Sequence, residues 1–316
     1  MPWLLCTRSL IAIVTMVGLC VAAAGRVSTA ERDRRIVVLT SATAAPYKEA
    51  LTGFQQSLQQ QGIGVHYDTY VLEGDAAKVE QTLQEARQAP ADLFFTLGTL
   101  ATQRFLKEIT GPPTIAGLIL NPDDLKEAPN ATGVVLEFPL EVQFQWLRRF
   151  LPAAGTVGVV YNPKENQRKI EAAGRIARTY GFTLEAQEVQ AAKDLPVALE
   201  NLAKKAHVLW GVVDQLVFTS QTDKQLLIFS FQNRIPFVGL SAAWVKAGAL
   251  YALDWDYTDL GMQCGEMAGK VLHGAKASTM PPAVPRKVAY SLNQKTARHM
   301  KIDIAEALMR GARDIY

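Results

Sequence analysis

Thr156-Val157-Gly158-Val159-Val160-Tyr161-Asn162-Pro163 is the stretch on which the fold turns. Its first part is uncharged and rich in β-branched residues. A continuous apolar run of that length suits a strand buried on both faces, as in parallel sheets. Asn162-Pro163 then opens a turn, with proline suited to a first helical position, and a long helix is expected to Tyr180, ended by Gly181. Strand, turn and long helix together read as the start of a βαβ unit.

Reading outward, the alternation continues on both sides. Downstream come a strand from Thr183 to Val189, a helix from Asp194 to Lys205, and a strand from Val208 to Val213. A helix from Thr219 to Asn233 and a strand from Pro236 to Leu240 follow. Upstream, Ile36-Val37-Val38-Leu39 is a second buried-strand run, followed by a helix from Pro46 to Gln61 with Gly62 as its stop. Strands from Val65 to Tyr70, Leu93 to Leu97 and Thr114 to Leu118 alternate with helices from Asp75 to Gln88 and Leu100 to Glu108. A helix from Leu140 to Phe150 leads into the second block.

Two such blocks imply an α/β chain of two doubly wound parallel-sheet lobes joined by a hinge. The joint falls around Asn130 to Pro139, where Ala128-Pro129-Asn130-Ala131-Thr132-Gly133 breaks the periodicity. The tail holds a short strand from Leu250 to Leu253, a helix from Tyr257 to His273, an extended Met280-Pro281-Pro282 spacer, a strand from Val288 to Leu292 and two short helices. A third segment after two complete blocks implies that the chain crosses back between the lobes. The expected division is residues 31–137 with about 254–279 in one lobe, and residues 138–253 with about 280–316 in the other.

Of 316 residues, 49% are hydrophobic and 20% charged, which excludes a disordered chain. The mean hydropathy of +0.04 excludes a polytopic membrane protein. Thirty-three Lys and Arg against 30 Asp and Glu, with no basic block longer than Arg34-Arg35 or Arg148-Arg149, give nucleic-acid binding no electrostatic support. Residues 1–30 read as a secretory signal peptide: Arg8, then an apolar run from Leu10 to Ala24, then small residues offering cleavage near Ala24 or Ala30. That run is shorter than the roughly 20 residues a membrane-spanning helix needs. An uncleaved anchor is the alternative. Losing Arg8 and Arg26 leaves 31 basic against 30 acidic residues, a net +1. Cys6 and Cys20 leave too, so Cys264 remains without an internal disulfide partner, and its helical context reads as a buried small hydrophobe. A periplasmic or otherwise exported monomer is expected.

No G-x-S-x-G, H-E-x-x-H, P-loop or G-x-G-x-x-G is present. His66, His207, His273 and His299 have no second ligand at metal spacing, so neither metal nor cofactor is expected. In open parallel sheets, ligands bind beyond the carboxyl ends of the strands. Thr40-Ser41-Ala42-Thr43 and Gly98-Thr99 occupy such positions, each just before a helix. Ser41, Ala42, Gly98 and Thr99 are therefore candidate binding residues, with hydroxyl and backbone donors for a carboxylate. Ser41 and Thr99 would equally serve as helix caps. Asn162 and Asp214 end strands of the second block, and Asp254 precedes Trp255 at the crossing into the tail. An aspartate beside an aromatic ring suits a ligand ammonium, while helix capping is the other role, more so for Asp256 than for Asp254.

The order of these stretches resembles the ABC-transporter substrate-binding proteins of the tryptophan/tyrosine-uptake type, with the type 1 periplasmic binding fold. Matching segments run from Thr40-Ser41 and Pro46-Tyr47 through Asp92 to Thr99, Asn130 to Val134, Leu151-Pro152 and Val157 to Pro163. Ile235 to Gly239, Lys246 to Leu250, Asp256-Tyr257 and Asn293 to Ala297 complete them. The resemblance implies a receptor that closes on a small solute, an amino acid or related zwitterion, and presents it to a membrane permease with ATPase subunits. It places ligand contacts at Ser41, Thr99, Asn162, Asp214 and Asp254. Two departures are visible: Val212-Val213-Asp214-Gln215 stands where Pro-x-Asp-Asn is frequent, and Ala44-Ala45-Pro46 where a second proline is frequent. A sensor subunit docking on a signalling receptor is the alternative from another class. An enzyme on the same fold is the third, with no visible nucleophile–base pair to support it.

Overall fold

The computed structural model describes residues 33–108, 111–126, 128–136, 138–219 and 221–316. The expected signal segment lies outside them. Strands β1 (Arg34–Thr40), β2 (Val65–Val71), β3 (Leu93–Leu97), β4 (Thr114–Ile119) and β5 (Ala131–Val135) form one sheet in the order β2-β1-β3-β4-β5. Every pairing is parallel, with Ile36 opposite Leu93 and Val38 opposite Phe95. Helices α1 (Ala45–Gln60), α2 (Ala76–Gln88) and α3 (Thr99–Leu106) follow the first three strands.

The continuous apolar run in β1 now has its physical reason. Ile36 and Val38 pack on one face with Phe54, Leu58 and Phe95, while Val37 and Leu39 pack on the other with Leu83, Phe94 and Phe105. Both faces are covered, so alternation with polar residues would bury unpaired polar groups.

Helix α4 (Leu140–Phe150) leads into the second sheet. Its elements are β6 (Thr156–Tyr161), α5 (Pro163–Thr179), β7 (Thr183–Glu188), α6 (Leu195–Ala203), β8 (Val208–Trp210), α7 (Asp223–Asn233), β9 (Phe237–Gly239), α8 (Ala242–Ala247) and β10 (Tyr251–Trp255). After α9 (Tyr257–Leu272) come β11 (Val288–Leu292), α10 (Gln294–His299), α11 (Glu306–Arg310) and β12 (Asp314–Ile315). The strand order is β12-β11-β10-β9-β8-β6-β7, parallel except where β10 meets β11. Its β7-β6-β8-β9-β10 portion repeats the 2-1-3-4-5 order of the first sheet.

Although α9 follows a strand of the second sheet, it packs on α1 beside the first. Asp256 caps it, the carboxylate accepting from the Asp259 N–H at 2.9 Å. Gly261, Gly265 and Gly269 recur every fourth residue and so share one face. A Cβ on Gly261 would collide with the Ala50 carbonyl, and one on Gly265 would meet the Ser57 side chain and the Phe54 carbonyl. Gly53 of α1 answers with the same closeness to the Thr258 carbonyl. The two backbones approach closely because glycines stand where α9 meets the carbonyls of Ala50 and Phe54 and where α1 meets that of Thr258. Cys264, on the same helix, is buried, and burial pushes its thiol well above the usual range.

The chain thus passes between the two sheets three times: after β5, at Asp256, and from Ala283 to Lys287. Phe138 on the first crossing stacks on Trp255 at the second, with ring centroids 3.6 Å apart. The Val135 N–H donates to the Ala283 carbonyl at 2.8 Å, and the Asp256 N–H to the Lys287 carbonyl at 3.2 Å. Arg286 on the third crossing reaches Asp259 and Glu266 of α9.

Four details differ from the sequence reading. Ala131 to Val135, inside the stretch expected as the joint, is an edge strand, and the crossing follows it; its Gly133 lies against the backbone of Ala116, leaving no side chain to signal a strand. Helix α7 begins at Asp223 because Thr219 and Thr222 first close a turn of their own, the Thr219 N–H donating to the Thr222 hydroxyl at 2.9 Å. Strand β8 ends at Trp210, and Ala242 to Ala247 adds a short helix the pattern did not suggest.

Candidate functional site

In each sheet the strand order reverses beside the first strand, so the loops after β1 and β3, and after β6 and β8, leave in opposite directions and open a crevice. The structure brings Ser41, Ala42, Gly98 and Thr99 together at the first of these points. The Ser41 N–H donates to the Leu97 carbonyl at 2.9 Å, and its hydroxyl accepts from the Ala101 N–H at 2.9 Å, so it caps α3 from 60 residues away. Gly98 has φ +93°, and a Cβ there would press on both Ser41 and the Tyr47 ring, so this approach requires glycine. The Thr99 hydroxyl accepts from the Leu120 N–H at 3.2 Å. Thr40 closes the turn, its hydroxyl donating to the Ala42 carbonyl at 2.7 Å. Ser41 therefore acts as a remote cap of α3, while Thr99 holds the Leu120 backbone. As acceptors in these bonds, each keeps its own O–H.

At the second point the structure brings Asn162 and Asp214 together, in an unexpected arrangement. Asp214 is 2% exposed, and its carboxylate accepts four hydrogen bonds from its own lobe. One oxygen takes the Asn162 N–H at 2.7 Å and the Asn166 amide at 2.9 Å; the other takes the Leu216 and Val217 N–H groups at 3.0 Å each. It stitches the loop after β8 to the start of α5. Asn162 caps α5 through a side-chain oxygen that accepts from the Lys164 N–H. Asp254 is apart from both. It accepts from the Tyr257 hydroxyl and the Trp255 N–H, both at 2.8 Å, and pairs with Arg313 at 2.9 Å. The three candidates of the second block thus spend their oxygens on the scaffold.

A cleft of about 700 Å³ opens at the second switch point. Its floor is Tyr251 and Leu253 of β10 with Val238 and Gly239 of β9; one wall is the loop Gly211-Val212-Val213. Leu120 and Pro122 close it from beyond β4, and Leu136 and Phe138 from the first crossing. Val213 is 71% and Leu120 69% exposed, large apolar side chains held in solvent on opposite sides of one cavity. Trp210 lines it too, but its indole N–H donates to Gln143 Oε1 at 3.0 Å, and the Gln143 amide donates to the Phe138 carbonyl at 2.8 Å. Two cations, Arg168 and Lys169, reach the cleft from α5, while no Asp or Glu lines it among the described residues.

Of the sequence candidates, Ser41, Ala42, Gly98, Thr99, Asn162, Asp214 and Asp254 do not line this cavity. Thr99 touches it indirectly, by holding the Leu120 backbone. Arg168 and Lys169 were missed because a charge in the middle of a long helix reads as a solvated face. The single proton of the Tyr161 hydroxyl is shared between Gln167 Oε1 and Glu188 Oε1, each at 3.0 Å, and burial together with the Glu188 carboxylate pushes the hydroxyl up to about 12.

Two doubly wound lobes, joined by three crossings and open at their switch points, define the class of type 1 periplasmic binding proteins. The chain belongs to the ABC transporter substrate binding protein family, whose model matches residues 36–315. It is 21% identical over 263 residues to a tyrosine-binding protein of Clostridioides difficile strain R20291, covering 79% of this chain and 76% of that one. A structure from Streptococcus pneumonia described as an ABC domain in complex with L-Trp is 24% identical, with TM-score 0.57, covering 90% of this chain and all of that one. The ligand-free, open structure of a substrate-binding protein with adhesive properties from Clostridium difficile is 20% identical, with TM-score 0.75, covering 89% and 98%. These relatives are named for binding, not catalysis. Among the described residues, no helix is long and apolar enough to cross a membrane.

Proposed function

We propose that this protein is the exported solute receptor of an ABC importer, taking a small solute between its lobes and delivering it to a permease with ATPase subunits. The observation that carries this reading is the apolar, cation-edged cleft at the second switch point, bounded by residues of both sheets and of the first crossing. Residues 31–137 with about 254–279 would move as one body and the remainder as the other, export being directed by residues 1–30 and the mature protein acting as a monomer. Binding drives closure only if the closed state makes contacts that the open state lacks. Leu120 and Val213 supply such contacts, since closure over a solute takes both out of water, each worth about 1.5–3 kcal/mol if fully buried. On closure the Ser41–Ala42 and Gly98–Thr99 loops would come to face the solute, with two hydroxyl donors for an acceptor on it. Asn162, Asp214 and Asp254 hold the opposite wall and the crossing in shape.

The test is native mass spectrometry of the mature protein purified without denaturant. A bound small molecule, recovered chemically unchanged after incubation, is the expected result. Turnover of that molecule, or a mass equal to the polypeptide alone after exposure to total cell metabolites, would refute the receptor reading.

A further inference from the structure

Among the described residues, the charged side chains that line the cleft are basic. Arg168 reaches it from α5 and makes no hydrogen bond or ion pair with any described residue, so its guanidinium has its full set of donors to offer. Among the described residues, three acids of the adjoining segments are committed. Asp214 is saturated by four donors, Asp254 is held by Tyr257, Trp255 and Arg313, and Glu165 accepts from the Gln215 N–H and the Asn162 amide. The polar groups of Trp210 and Gln143 satisfy one another. What remains is an apolar chamber with a forked cation at its edge.

Building on the receptor reading, we propose that the cleft selects an organic monoanion with an apolar body, its carboxylate gripped by Arg168, and not a solute that must bury an ammonium. A guanidinium matches a carboxylate bidentately, and such charge-assisted bonds are about twice as strong as neutral ones. An ammonium brought into the same chamber would face the Arg168 guanidinium and lose its hydration without a described acid to replace it.

Isothermal calorimetry on the full mature chain with three probes of one body tests this: 3-phenylpropionate as the anion, L-phenylalanine as the zwitterion and 2-phenylethylamine as the cation. The proposal expects 3-phenylpropionate to bind at least tenfold more tightly than either other probe. Arg168→Gln should weaken it at least tenfold and Arg168→Lys less, with unchanged thermal melting showing that both variants fold. Tighter binding of L-phenylalanine, indifference of 3-phenylpropionate to Arg168→Gln, or no binding of any probe would overturn the proposal. So would amine binding that Glu137→Gln abolishes; Glu137 is the acid between the lining residues Leu136 and Phe138 and lies outside the described residues. Each of these results leaves the receptor reading intact, because that reading is decided by whether a solute co-purifies unchanged.

Discussion

Replacing Asp214 separates a scaffold carboxylate from a ligand-binding one. Asp214→Ala strands four donors, the N–H groups of Asn162, Leu216 and Val217 and the Asn166 amide, at a site that is 2% exposed. An unsatisfied buried donor costs about 1–3 kcal/mol. Taking about 1 kcal/mol each, because water can enter beside the exposed Val213, gives a loss of about 4 kcal/mol. At about 2–4 °C per kcal/mol for domains of this size, the melting temperature should fall by roughly 10 °C. Asp214→Asn keeps one acceptor oxygen and turns an amide toward the remaining donors, so it should lose about half as much. Melting followed by circular dichroism, with calorimetric solute binding below the transition, reads both effects. A melting temperature within about 2 °C of wild type, combined with a tenfold loss of solute affinity, would refute the assignment and return Asp214 to the ligand.

Two further outcomes follow from the packing and the buried phenols. Gly265→Val should destabilise the α1–α9 contact by about 1–3 kcal/mol, because its Cβ meets the Ser57 side chain and the Phe54 carbonyl; an unchanged denaturant midpoint would show that these helices do not touch. Burial lifts the hydroxyls of Tyr67 and Tyr161 from 10.0 to about 12 and raises those of Tyr251 and Tyr257 as well. The unfolded chain therefore sheds these protons first, and stability should be intact below pH 10 and fall as pH rises from 10 through 12. The denaturant midpoint at pH 8 and pH 11 measures this, and equal midpoints would contradict it.

The fold was legible because it depends on repeated local signals. Ile36 to Leu39 and Val157 to Val160 are apolar on every residue because both faces of their strands are covered. Proline and glycine marked the ends of α1 and α5 for reasons of backbone geometry alone. Strand β5 escaped detection because it is short, follows the Pro129-Asn130 turn signal and carries Gly133 at its centre, so its register is held by its neighbour β4. The site was half legible. Position after a strand correctly brought Ser41 to Gly98 and Asn162 to Asp214, since sheet order alone does that. The direction of a carboxylate is not local: Asp214 turns inward because Asn166, on another element, completes its shell. Arg168 was invisible for the converse reason. A helix surface becomes a cleft wall only when residues from β4, the first crossing and the loop after β8 are set opposite it.

The most direct trial of the account is the distance between the lobes with and without solute. Spin labels on cysteines introduced at Gln103 of α3 and Glu171 of α5, with Cys264 left buried, report it by double electron–electron resonance. On saturation with the solute that co-purifies, the distribution should shift to shorter distances and narrow. One distribution, unchanged between the empty and the saturated protein, would contradict closure on a bound solute.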